Sequence, residues 1–264
     1  MSTIDDPITA PAPEEVPLPN APLVRVIAQV RFPHVIDVDQ REFVAPFQKA
    51  LRSKYPVLRP EQMQGVLFGP NGPAAVQAQT AWRFSDADGK WRVSLAPEFT
   101  ALETTEYSSR TDFLGRLREV LEALQSHVAP QLVDRLGLRY IDRITGAAVE
   151  EISKLVNPAV LGITTTAAAM HAEHVLGESL FALDDTRLRA RWGRLPRNGT
   201  VDPAALEPID DVSWILDLDM FTTKPQPFDV EAVMASADSF AARLYTFFRW
   251  VVTPEFLRRY GGNV

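Results

Sequence analysis

Leu23-Val24-Arg25-Val26-Ile27-Ala28-Gln29-Val30-Arg31-Phe32 alternates without a break, with Val24, Val26, Ala28, Val30 and Phe32 pointing one way and Arg25, Ile27, Gln29 and Arg31 the other. A period of two is the mark of a strand buried on one face. Pro33 ends it. Upstream, residues 1–22 carry Pro7, Pro11, Pro13, Pro17, Pro19 and Pro22 with few large apolar side chains. Such a segment buries too little surface to offset its ordering entropy, so the sequence predicts an extended, disordered tail and order from Leu23 onward.

Downstream, Asp39 is the expected cap of a helix to about residue 55, with Phe43, Phe47, Ala50 and Leu51 at helical spacing and Pro56 and Pro60 closing it. A short run at 65–68 leads to the turn Gly69-Pro70-Asn71-Gly72. Strands are expected at 74–85 and 90–96, joined by Asp86-Ala87-Asp88-Gly89, and Ser108 or Ser109 starts a helix striped by Phe113, Leu117, Val120, Leu121 and Leu124. The second half repeats this order. It reads as a strand at 135–144, a short helix at 147–156, a hairpin of 165–176 with 180–192, a polar loop at 196–208 and a strand at 212–221. A long helix capped by Asp229 follows, interrupted near Thr253-Pro254.

The reading is therefore α+β, with a tail at 1–22 and two similar β-α-β(3-4)-α halves at 23–134 and 135–264 packed as one unit. Taken twice, that order predicts one curved antiparallel sheet with helices on one face. Tandem repeats of this kind resemble the saddle of the TATA-box-binding protein, and a helix-grip arrangement is the related alternative.

Asn20-Ala21-Pro22-Leu23-Val24-Arg25-Val26 leading to Arg31-Phe32, the hairpin with Trp82 and Phe84, Leu136-Gly137-Leu138-Arg139-Tyr140-Ile141-Asp142-Arg143-Ile144, and Leu216-Asp217-Leu218-Asp219 together resemble a sporadically distributed bacterial family without an assigned activity. The likeness runs over nearly the whole chain. It implies one shared architecture and supplies no catalytic residues.

The chain has no cysteine, which removes disulfides, thiolate metal sites and cysteine nucleophiles. Asp5, Asp6, Glu14 and Glu15 precede any basic residue, opposite to a secretory signal, and no apolar run is long enough for a membrane span, so a cytoplasmic protein without membrane contact is expected. Those four acids account for over half of the net charge of −7, and arginine outnumbers lysine by 22 to 5. With helices over the apolar side of the sheet, strand alternation puts Arg25, Arg31, Arg83, Arg92, Arg135, Arg139, Arg143, Arg187, Arg189 and Arg191 on the other, open side, among Gln77 and Ile141. Asp217 and Asp219 are the only carboxylates read onto it.

Such a face would neutralise the phosphates of a nucleic acid or accept an acidic protein segment. The plainer alternative is that carboxylates of the chain itself neutralise it, and self-association into a homo-oligomer is also compatible. The expectation is a non-catalytic binding or accessory protein, with no cofactor. Two alternatives stand beside it. Asp217 and Asp219 share a strand face, as a metal-dependent phosphodiesterase or nuclease would require. A small-molecule sensor with a ligand between sheet and helices is the other. His171-Ala172-Glu173-His174 lacks metal-ligand spacing, and Gly69-Pro70-Asn71-Gly72 is followed by no Lys, Ser or Thr and reads as a turn, not a phosphate loop.

Overall fold

The computed structural model describes residues 4–63, 66–69, 72–75 and 79–263. In chain order the elements are β1 (Leu23–Arg31), α1 (Arg41–Leu51), β2 (Val57–Met63), β3 (Val66–Gly69), β4 (Gly72–Ala75), β5 (Gln79–Ser85), β6 (Trp91–Ala96), β7 (Phe99–Thr104), α2 (Arg110–His127), β8 (Leu132–Val133) and β9 (Arg135–Thr145). There follow α3 (Ala147–Glu150), α4 (Ile152–Leu155), α5 (Pro158–Leu161), β10 (Val175–Leu183), β11 (Thr186–Leu195), β12 (Ser213–Thr222), β13 (Gln226–Pro227), α6 (Val230–Val251) and α7 (Pro254–Arg259). The fold is α+β around a large antiparallel sheet of nine strands in the order β10-β11-β12-β9-β1-β7-β6-β5-β2. Residues 70, 71 and 77, which carry part of the expected Gly-Pro-Asn-Gly turn and one of the expected glutamines, lie outside the described residues.

Two compact units divide the chain, one of Met1–Val26, Leu138–Phe221 and Asp238–Val264, the other of Ile27–Gly137 and Thr222–Ala237. They interleave instead of following the consecutive blocks 23–134 and 135–264. The reason lies in residues 222–237, which are tied to the second unit by the β8–β13 ladder and by Leu136 N donating to Thr222 Oγ1 at 3.0 Å.

In the second unit, β5, β6 and β7 turn Trp82, Phe84, Trp91, Val93, Leu95 and Leu102 inward, all buried. Phe84 meets Phe47 of α1 at 5.7 Å between ring centroids, and Trp91 meets Phe113 of α2 at 5.9 Å, with the Arg116 guanidinium 4.1 Å from the Trp91 ring. Ser109 caps α2 by accepting from Asp112 N, as its position before the apolar stripe predicts. Asp39 is not the cap of α1. It ends a short 3-10 turn (Ile36–Asp39), and its carboxylate accepts from Thr80 N instead.

In the first unit, Phe181 of β10 packs on Phe247 of α6 at 5.6 Å, and Leu138, Trp214, Leu216 and Leu218 are buried with Phe240, Leu244 and Val251. Asp229 caps α6 by accepting from Ala232 N at 2.8 Å, and Thr253 caps α7 after the break before Pro254. Residues 165–176 do not form the expected strand. Thr164, Thr165 and Thr166 each bond a hydroxyl back to the carbonyl three residues earlier, and this local pairing, followed by Ala167–His171, favours 3-10 turns over a ladder. The hairpin partner of β11 is therefore β10, joined through Asp184-Asp185.

Residues 4–22 contain no helix or strand, yet they are held against α6. Arg243 donates to the carbonyls of Pro7 and Ala10, Arg249 to that of Glu14, and Tyr245 Oη accepts from Val16 N at 2.8 Å. Proline removes amide donors but leaves every carbonyl, and those carbonyls are what the arginines hold. The expectation of disorder rests on the poor burial of the segment itself and takes no account of donors supplied from a helix more than two hundred residues away.

Asp142 of β9 sits on the side away from Arg139 and Arg143, 6% exposed. Burial alone pushes its carboxyl up to about 7. In the unfolded chain the same group titrates near ~3.9, so from about pH 4 to 7 the folded chain keeps a proton that the unfolded chain has released. Stability then falls as pH rises through that window, by up to ~1.4 kcal/mol per pH unit, and levels off above it. Asp142→Asn removes this dependence and stabilises the chain at pH 8 more than at pH 5. Urea denaturation of both proteins at the two pH values checks it, and an unchanged pH slope would contradict the assignment.

Candidate functional site

The arginine cluster of the first unit is built on one carboxylate. Asp217, 1% exposed on the interior strand β12, accepts from Arg139 of β9 through Nε at 2.7 Å and Nη2 at 2.9 Å, a bidentate pair. From the other side Arg191 of β11 donates to Oδ2 through Nε at 3.0 Å and Nη2 at 2.6 Å. Two residues on, Asp219 accepts from Arg189 Nη2 at 2.9 Å. The spacing of two puts both aspartates on one side of β12, and the neighbouring strands bring arginines to the same side.

A second tier comes from the loop at 196–212. Asp202 accepts from Arg139 Nη1 at 2.7 Å, Glu207 lies 3.8 Å from Arg25, and the Glu207 carbonyl accepts from Arg143 Nη2 at 2.7 Å. The loop is internally braced by Asn198 N to Ile209 O and Thr200 Oγ1 to Leu206 O, and Ala205 and Leu206 are buried. Ile141, expected among the open-side residues, is fully buried, as is Ile215, two residues before Asp217 on β12. The side of the sheet predicted to stay open is thus covered here by a polar loop with two buried apolar anchors.

These partners govern the protonation of the cluster. Burial acts to lower the pKa of Arg139, but its bonds to Asp217 and then to Asp202 outweigh that and hold the guanidinium above its ordinary value. For Asp202 burial acts upward and the Arg139 bond wins, holding the carboxyl down. Burial lowers Arg143, whose partner is a carbonyl.

Of the ten arginines that strand alternation puts on the open side, Arg25, Arg139, Arg143, Arg187, Arg189 and Arg191 come together in the first unit. Arg187 is bonded to the backbone oxygens of Asp184 and Thr186. Arg31 and Arg135 belong to the second unit, where they line a cleft with His34, Glu98 and Asp134, and Arg31 approaches Glu98 at 3.7 Å. Arg83 and Arg92, also there, meet Glu61 at 3.1 Å and Glu103 at 2.5 Å. The face therefore carries Glu61, Glu103, Glu178, Asp202 and Glu207 besides Asp217 and Asp219, and the reading of two carboxylates only is corrected. Glu103 and Glu178 lie on strands beyond the bounds expected from the sequence, at Phe99–Thr104 and Val175–Leu183. Asp202 and Glu207 lie on a loop, where no periodicity points to a face.

The two aspartates make a poor cation site. Asp217 already receives four guanidinium hydrogen bonds, and a divalent ion would have to displace two arginines from a nearly dry position. Among the described residues no group of three or more His, Asp or Glu is arranged to hold a metal, and His171 and His174 lie exposed at a 3-10 turn and before β10. No helix of the described residues is long and apolar enough to cross a membrane. No protein-family model matches the chain, and no curated protein matches it in sequence.

Asp217→Asn keeps the size of the side chain but removes the charge that two buried guanidiniums share. Breaking a buried pair from one side costs about 3–5 kcal/mol. The variant should unfold at correspondingly lower urea, while millimolar Mg²⁺ or Mn²⁺ leaves the melting temperature of the unaltered chain where it was. A metal-induced rise in that temperature would overturn the structural role of Asp217.

Proposed function

We propose that this is a non-catalytic binding protein whose arginine-bearing sheet face receives an acidic, extended protein segment. The observation that carries the proposal is the loop at 196–212. It lays Asp202 on Arg139 and Glu207 beside Arg25 and Arg143, so the occupant present on this face is itself a carboxylate-bearing stretch of chain. Beyond the loop the row continues with Arg189, about one third exposed, and with Arg187, whose guanidinium bonds the backbone oxygens of Asp184 and Thr186.

Of the two anionic classes, an acidic protein segment fits better than a nucleic acid. Neutralising phosphates needs an excess of positive charge, whereas Arg25, Arg139, Arg189 and Arg191 already face carboxylates and the chain carries −7 overall. A peptide engages the same guanidiniums by exchanging one carboxylate for another.

We also propose that the chain is an internal duplication of a strand–helix–three-strand–helix unit, in the manner of a TATA-box-binding-protein-like or helix-grip-like fold. The strand order supports it. Outward from β1 run β7, β6 and β5, and outward from β9 run β12, β11 and β10, with α2 following β7 and α6 following β12 in sequence.

Fluorescence anisotropy with a labelled Glu-rich peptide, duplex DNA and RNA tests the binding. The peptide should bind, more weakly as salt rises, and Arg187→Ala should weaken it about 3- to 10-fold without changing the unfolding midpoint. Tighter binding to either nucleic acid, or no salt-dependent binding to any probe, would sink the reading.

A further inference from the structure

We infer that β10 is a self-association edge: two copies of the chain pair their β10 strands antiparallel about Ser179 to form a twofold-symmetric dimer. This goes beyond the partner on the arginine face and does not depend on it.

The two outer strands of the sheet are treated in opposite ways. At one end β2 contains Arg59, Pro60 and Glu61, a proline and charges of the kind that keep an edge from pairing. At the other end β10 runs for nine residues, Val-Leu-Gly-Glu-Ser-Leu-Phe-Ala-Leu, with no proline and a single charge. Among the described residues its backbone ladder is with β11 alone. Leu176 and Leu180 are 47% and 59% exposed, and of the six exposed large apolar side chains of the described residues, four fall between Ile163 and Leu180. An unguarded edge strand that carries exposed apolar side chains invites a second strand.

The sequence of β10 selects its own copy as that strand. Ser179 is its midpoint, so antiparallel pairing about Ser179 uses all nine residues. It sets Leu176 opposite Ala182 and Leu180 opposite Glu178 of the other copy, and each exposed leucine gains a cross-strand neighbour. The only charge, Glu178, lies 3.9 Å from Arg191 of its own chain, and directly opposite it stands Leu180 of the other copy, with the second Glu178 on the diagonal. On the helix side, Gly177 falls opposite Phe181 of the other copy. The Trp192 ring lies where a Gly177 side chain would be, within 2.8 Å of a Cβ built there, so an aromatic already covers the gap that the glycine leaves.

The ends differ in charge. The β10–β11 turn is acidic, with Asp184 and Asp185, while the opposite end of the hairpin carries Arg194, paired in register with Val175, together with Glu173 and His174 just before β10. Within the chain, and among the described residues, neither the Asp184 carboxylate nor the Arg194 guanidinium has a salt-bridge partner. Antiparallel pairing brings the acidic turn of each copy beside the Arg194 end of the other, twice by symmetry. Parallel pairing would put like ends together.

Sedimentation velocity of the full chain across a concentration series up to about 100 µM tests this, with circular dichroism to confirm that each variant is folded. The unaltered chain should dimerise. Leu180→Glu, which faces Glu178 of the other copy, should weaken the dimer at least about tenfold, whereas Leu180→Lys, which faces the same glutamate, should not. Asp184→Arg and Arg194→Asp should each weaken it several-fold, and the double variant should restore it. A monomer throughout the series, a dimer indifferent to Leu180→Glu, or charge reversals that fail to rescue one another would each overturn the pairing.

Discussion

A carboxylate with 1% exposure on an interior strand of an acidic protein is tolerable only because two guanidiniums close on it from the strands at either side. Asp217 sets the terms for everything around it in the first unit. Arg139 and Arg191 must approach β12 from opposite directions, which ties β9 and β11 to it at side-chain level as well as through the ladder. The remaining Nη1 of Arg139 then needs an acceptor, and Asp202 supplies it from the loop at 196–212. One buried charge thus propagates outward into an ordered loop. A hydrophobic replacement of equal volume would hold the strands with less electrostatic cost but would give that loop no reason to settle where it does.

The same chain of pairings decides how the arginine content should be interpreted. Twenty-two arginines and a net charge of −7 are compatible with a strongly cationic patch only if the carboxylates lie elsewhere. They do not. Glu61, Glu103, Glu178, Asp202, Glu207, Asp217 and Asp219 face the arginines of the sheet, and most of these contacts cross from one strand to the next or from loop to strand. What remains is a surface of nearly balanced charge with fixed guanidinium geometry. Such a surface favours exchange of one carboxylate for another over the bulk neutralisation of a phosphate chain.

Strand periodicity made much of this legible. Arg139, Arg143, Arg189 and Arg191 fall on the side that the alternation assigns them, and the long helices start at the capping residues Ser109 and Asp229 that the sequence marks. What escaped detection shares a physical cause: it depends on groups distant in sequence or on atoms without periodic identity. Asp202 and Glu207 sit in a loop, the docking of residues 4–22 relies on backbone carbonyls, and Thr164, Thr165 and Thr166 trade a strand for local hydroxyl bonds. β-branched composition argued for a strand at that last position. The hydroxyl of threonine argued against it, and a three-residue run was enough for the hydroxyls to win.

The two edges of the sheet extend the electrostatic reasoning to what lies outside the chain. β2 carries proline and charge and is closed to further strands, and β10 carries neither beyond Glu178, which Arg191 already holds. Inside the sheet Arg83, Arg92, Arg139, Arg189 and Arg191 each meet a carboxylate of a neighbouring strand, but among the described residues β10 has no neighbour on its outer side, and there Leu176 and Leu180 stand exposed. A strand whose exposed positions were selected only for solubility would place lysine or glutamate at both. Their apolar character makes sense if water is not their usual neighbour, and Asp184 and Arg194, without salt-bridge partners among the described residues, give that missing neighbour an orientation from opposite ends of the same hairpin.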